Sequence, residues 1–151
     1  MAKNTVILKN YSDIFEEYVA AGVITPGMLV EVKSATTCGF HDVAGGNAIP
    51  MFAIEDALQG KGIDDNYAAT DPVRVWIPGR GCQVNAILED GEDAHAGDFV
   101  VSAGNGKVKV YDVESTGDYT PLQIIGQVLK TVDMSDSSTV DPDGRVQIRI
   151  V

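Results

Sequence analysis

The sequence predicts a mainly β protein, a small barrel or sandwich with an extended N-terminal arm and at most short helices. Three observations carry this. Sixteen glycines in 151 residues supply more turns than a helical bundle uses. Short β-branched runs are punctuated throughout by Gly, Pro, Asn and Asp. Two runs, Val73–Ile77 and Arg145–Ile150, alternate with the period of two that turns one face of a strand to a core.

The elements follow in order. Thr5–Leu8 is a first extended segment. Ser12 and Asp13 precede Ile14, Phe15, Tyr18 and Val19, a spacing that suits either a capped helical turn or an extended segment. Pro26 and Gly27 make a turn, since proline presets the first corner and glycine accepts the positive φ of the second. Strands are expected at Met28–Val32, Pro50–Ile54, Val73–Ile77 and Gln83–Leu88, with Glu55–Pro72 a long polar loop and Glu89–Asp93 an acidic turn. Asp98–Ser102 and Lys107–Tyr111 flank Ala103–Gly106 as a hairpin. Ile124–Lys130 and Arg145–Ile150 are the last strands, separated by a Ser-, Asp- and Thr-rich loop. Alternation nominates Val30, Val32, Phe52, Ile54, Val75, Ile77, Val84, Ile87, Phe99, Val101, Ile125, Val128, Ile148 and Ile150 for the core.

The chain echoes itself. Pro26–Val30 resembles Ala96–Val100 at an offset of 70, Pro50–Ile54 resembles Pro121–Ile125 at 71, and Val73–Ile77 resembles Val146–Ile150 at 73. Chance likeness between β segments is one explanation. The other is two β-units, about 23–78 and 83–151, folded on each other behind an arm at 1–22.

Composition limits function. Twenty-two acids against eleven Lys and Arg give a formal charge of −11, which disfavours nucleic acid and anionic membrane surfaces as partners. The apolar runs are far shorter than the roughly 20 residues that span a bilayer, and no signal-peptide h-region follows Met1. Two cysteines, Cys38 and Cys82, set no disulfide framework and suit a reducing compartment.

Converging catalytic groups are missing. Cys38 and His41 are three apart, but a structural zinc site needs two close ligand pairs, and Cys82 and His95 are thirteen apart. Cys38 is read as a loop residue with no helix N-terminus to activate it, the cysteines as core or near-core, and both histidines as solvated. Carboxylates are abundant but fall in turns, and neither Asp64–Asp65 nor Glu89–Asp93 has the alternate-position pattern of an EF-hand. No enzyme activity, cofactor or metal is expected. The profile suits an interaction module. The apolar Thr5, Val6, Ile7 and Leu8 either pair with the domain's own sheet or add as a strand to another chain's sheet edge.

Several stretches resemble the small decoration, or cement, proteins of tailed-bacteriophage heads. They are Asn4–Asn10, Ala20–Gly27, Ala44–Ala48, Pro50–Asp65, Val75–Gly81 and Val84–Leu88, with Phe52–Asp65 the most distinctive. Cys82, just after Pro78–Gly81, stands where a polar residue is expected. The resemblance implies a compact β fold made in the host cytoplasm and placed on the outer surface of the mature capsid. It implies a homotrimer that staples neighbouring major capsid subunits. Thr5–Leu8 would then be the capsid-binding arm, and Lys61, Ile63, Asp64, Asp65, Tyr67 and Arg80 the subunit or capsid contacts. The alternative is a carbohydrate- or cell-surface-binding module stacking sugars on Trp76, Tyr67, Tyr111 and Tyr119.

Overall fold

A computed structural model describes residues 3–10, 14–112, 123–135 and 144–151. The first strands are β1 (Ile7–Lys9), β2 (Phe15–Ala20), β3 (Val30–Val32), β4 (Thr37–Phe40), β5 (Phe52–Ala53) and β6 (Pro72–Trp76). They are followed by β7 (Gln83–Ile87), β8 (Asp93–Ala94), β9 (Phe99–Ser102), β10 (Val108–Val110), β11 (Gly126–Val128), β12 (Val132–Asp133) and β13 (Arg145–Ile150). A 3-10 turn at Ala57–Gln59 interrupts the loop between β5 and β6.

The strands form a five-stranded sheet ordered β3-β4-β2-β6-β5, a six-stranded sheet ordered β1-β7-β13-β11-β9-β10, and the ribbon β12-β8. Each large sheet curls back on itself. Leu29 bridges to Phe52, joining the start of β3 to β5, and Leu88, just past β7, bridges in parallel to Val108 of β10. The fold is mainly β, with barrel-like curvature but no continuous closed barrel among the described residues.

The two curled sheets repeat one plan. In the first, Ala53 pairs with Val75; in the second, Val128 pairs with Ile148. Val75 and Ile148 are 73 apart, the offset at which Val73–Ile77 resembles Val146–Ile150. The hairpin β3–β4 pairs Val30 with Phe40, and β9–β10 pairs Val100 with Val110, an offset of 70 on both strands. The turns before these hairpins share their hydrogen bonds. Gly27 donates to the Ala53 carbonyl and Ala53 to Met28; Gly97 donates to Val128 and Val128 to Asp98. Both glycines have positive φ, +96° and +101°. The parallel pair Ala20–Cys38 matches the parallel bridge Leu88–Val108. One resemblance does not survive: the register equates Ala53 with Val128, 75 apart, so the 71-residue likeness of Pro50–Ile54 to Pro121–Ile125 is not structural, and Pro121 lies outside the described residues.

Each unit has a core. The smaller cluster, with Ile24, Val30, Cys38, Tyr67, Val73 and Val75, fills the first unit. The larger cluster fills the second unit with Val84, Val100, Val108, Val146 and Ile148, and takes in Leu29, Phe52 and Trp76 from the first. Those three point outward from their own sheet and are fully buried. Their counterparts in the second unit by register, Phe99, Gln127 and Arg149, are exposed or half-buried. One outward face is therefore the contact between the units, and the equivalent face of the second unit is open.

Several expectations are corrected. The segment expected as an arm at 1–22 is built into both sheets: β1 pairs antiparallel with β7, and β2 lies between β4 and β6. Val6 is fully buried in the larger cluster, and burying that apolar side chain draws the segment inward. Of the two readings of the segment after Ser12, the extended one holds, with β2 at Phe15–Ala20; Ser12 itself lies outside the described residues. Cys38 sits on a strand, β4, which the sequence hid behind Gly39. Val32 and Phe99 are exposed and Ile77 and Ile87 half-buried. Beside Val84 the inward residues are Ala86 of β7 and Leu88 just past it, since Val84 and Ile87 fall on opposite faces.

Candidate functional site

The residues expected to make contacts separate in the structure. On the loop after the 3-10 turn, Lys61, Asp64 and Asp65 are exposed, whereas Ile63 and Tyr67 turn inward and are buried. The Asp65 carboxylate accepts the Gly62 amide at 2.7 Å, which fixes the loop tip. Tyr67 donates its hydroxyl to the Ile54 carbonyl, and its amide and carbonyl both bond Ile24. Arg80 is exposed at the turn between β6 and β7, and no hydrogen bond or ion pair joins it to the 61–67 loop among the described residues. Thr5 is exposed, Val6 buried, and Ile7 and Leu8 half-buried; the Asn85 amide donates to the Val6 carbonyl at 2.8 Å. The segment expected as a capsid-binding arm therefore lies in its own chain's sheet.

The sugar-stacking residues fare no better as a surface. Trp76 is fully buried and Tyr67 nearly so, Tyr111 is half-exposed, and Tyr119 lies outside the described residues. Alternation along β6 sets Trp76 on the face opposite Val75. Its face is buried because the second unit covers it.

The chemistry-bearing residues are occupied structurally. His41, expected to be solvated, is buried, with Nδ1 2.6 Å from Ser102 Oγ and Nε2 3.0 Å from the Asn47 carbonyl oxygen. It ties the end of β4 to β9. Cys38 lies in the core of the first unit, where burial raises its thiol pKa and keeps it protonated. Cys82 is buried in the other core, and both cysteines are free thiols. Among the described residues no group of three or more His, Cys, Asp or Glu is placed to hold a metal ion, and no helix is long and apolar enough to cross a membrane.

Two features were not found from sequence. Arg145, at the start of β13, is buried and donates to the Pro26 carbonyl (2.8 Å) and the Ile63 carbonyl (3.1 Å), with Asp64 at 3.9 Å. By alternation it lies on the face of β13 opposite Val146 and Ile148, where nothing in the sequence signals burial. The second is an asymmetry of apolar exposure. Of eleven exposed large hydrophobic side chains among the described residues, nine, from Ile14 to Leu58, belong to the first unit. The first unit thus carries most of the exposed apolar surface among the described residues.

Tyr67 gives a test of this local packing. Burial pushes its phenol up to about 12 from 10.0. The folded state holds the proton more tightly than the unfolded chain, so the contribution of Tyr67 to stability is level below pH 10 and falls as pH rises from about 10 to 12, by about 1.4 kcal/mol per pH unit. Urea melts across this range should show that slope, and Tyr67→Phe should lose it while costing about 1 kcal/mol at neutral pH from the missing bond to Ile54. An unchanged slope in the variant would assign the titration elsewhere.

No protein-family model matches the chain, and no curated protein matches it. Among solved structures it is similar to the head fiber gp8.5 N base of bacteriophage phi29, with 14% identity and a TM-score of 0.55 over 91% of this chain and 93% of that one. The alignment spans both units, so the shared feature is the whole two-unit fold.

Proposed function

We propose that this protein is a structural component of a phage virion that binds the outer surface of the mature capsid. It bridges neighbouring major capsid subunits as a homotrimer and stabilises the shell without catalysing a reaction. The observation that carries this reading is the two-unit fold shared, nearly end to end, with a head fiber base. The stretches that resemble phage decoration proteins support it, and so does the apolar surface left on the first unit. The glycan-binding alternative loses its best stacking groups, because Trp76 and Tyr67 are interior.

The mechanism is one of area and valency. A standard protein interface buries roughly 1,600 Å² in total. Three copies held together engage their second and third sites at high effective concentration, so modest individual contacts sum to a clamp. Mixing the protein with undecorated mature heads should give co-sedimentation in a fixed ratio to the shell lattice and a higher temperature of DNA release. Heads that neither retain the protein nor gain heat resistance would refute the reading.

A further inference from the structure

The repeat exposes a vacancy. In the second unit the outer edge of β7 is covered at its N-terminal half by β1: Ile7 lies opposite Val84, Lys9 opposite Gln83, and the Asn85 amide donates to the Val6 carbonyl. The C-terminal end of the same edge, at Leu88, meets β10. In the first unit β2 is the counterpart of β7, with Glu17 equivalent to Asn85. Its C-terminal end, Val19 and Ala20, meets β4 as Leu88 meets β10. Along Phe15–Glu17, however, no strand of the described residues takes the place that β1 takes on β7.

Backbone direction confirms which groups face the gap. The Ala20 amide donates toward β6, to Asp71, and the Val19 amide donates to the other side, to Thr36. Alternation then turns the Phe15 and Glu17 amides and carbonyls to the open edge. Exposed Ile14 (54%), Phe15 (40%) and Val19 (39%) surround it. An unpaired edge with apolar flanks invites strand addition.

We infer that the Phe15–Glu17 edge of β2 accepts an extended, cation-bearing segment of the major capsid subunit as an antiparallel strand, in the place β1 fills on β7. That partner rests on the function proposed above. Charge selects against a second copy of this chain: pairing β2 with β2 would bring Glu16 and Glu17 of both copies together on molecules of net charge −11. A strand with Lys or Arg opposite Glu16 or Glu17 is complementary. Self-association is thereby disfavoured at the edge that a basic partner can use.

Glu17→Pro tests this, because its missing N–H faces the open edge and no strand bond inside the protein is lost. With an unchanged melting temperature, the variant should bind undecorated heads at least tenfold more weakly than wild type. On wild type, hydrogen exchange at the Phe15 and Glu17 amides should slow when heads are bound. Glu16→Lys/Glu17→Lys should likewise weaken binding at low salt. Wild-type binding with neither the proline effect nor slowed exchange would overturn the edge assignment and leave capsid binding standing. No wild-type binding would overturn both. If Glu17→Pro fails to fold, the wild-type exchange measurement decides.

Discussion

Trp76→Ala should destabilise the protein by about 3–5 kcal/mol, the usual cost of emptying a large aromatic site in a core. That is a large part of the 5–15 kcal/mol that holds a typical domain together, so the variant should be substantially unfolded well below the wild-type melting point. Trp76 is fully buried where the first unit's outward face meets the second unit, beside Phe52 and Leu29. Truncation opens a cavity between the units that neither sheet can close alone. The repeat supplies the control. Arg149 is the register counterpart of Trp76 and is exposed, so Arg149→Ala should stay within about 0.5 kcal/mol. Urea denaturation followed by circular dichroism measures both, and similar costs at the two positions would mean that the units do not meet on this face.

That pair of residues also shows what sequence could reveal. Alternation correctly separated Val73 and Val75 from Arg74 and Trp76, because a strand turns successive side chains to opposite faces whatever surrounds it. It could not reveal that the outward face of one unit is covered while its equivalent is open, since that depends on how the units dock. Alternation therefore nominates Phe99 for the core, although its counterpart Leu29 is the buried one. The 70- and 73-residue offsets were legible because Gly27 and Gly97 serve the same positive-φ turn and because β6 and β13 face equivalent cores. The likeness at Pro50–Ile54 misled because a leading proline is common at strand starts and carries no register.

Contact residues were less legible for a related reason. Val6–Leu8 has the apolar, β-branched character of a strand that seeks an edge, and it found the edge of β7 within its own chain. Composition cannot state which edge is filled. The vacant position on β2 is defined by the equivalence of β2 with β7, and neither Phe15 nor Glu17 carries a local signal of it. The burial of His41 carries no local signal either, because it depends on a partner distant in sequence, Ser102.

The second large effect is expected at Arg145. Arg145→Met keeps most of the apolar stem and removes the guanidinium, leaving the Pro26 and Ile63 carbonyls without their charged donor. Charge-assisted hydrogen bonds are worth about 1.5–3 kcal/mol each, so a loss of about 3 kcal/mol, a drop of roughly 6–12 °C in melting temperature, is expected. Asp64 contributes little to this, because its carboxylate is 90% exposed and the pair is 3.9 Å apart; Asp64→Ala should shift melting by less than about 1 kcal/mol. Gly27 offers an independent approach to the same pin. A Cβ there would lie 2.2 Å from Arg145 Nη1, whereas at Gly97 it would meet nothing within 4 Å. Gly97→Ala therefore carries only the backbone strain of a positive φ, about 1 kcal/mol, while Gly27→Ala carries that strain and also displaces the guanidinium. In the Arg145→Met background the contact with the guanidinium is gone and only the 3.1 Å approach to the Asn85 carbonyl remains, so the two losses should combine to clearly less than their sum. Strict additivity of Gly27→Ala and Arg145→Met would show that the arginine does not hold the Pro26 turn of the first unit to the start of β13 in the second.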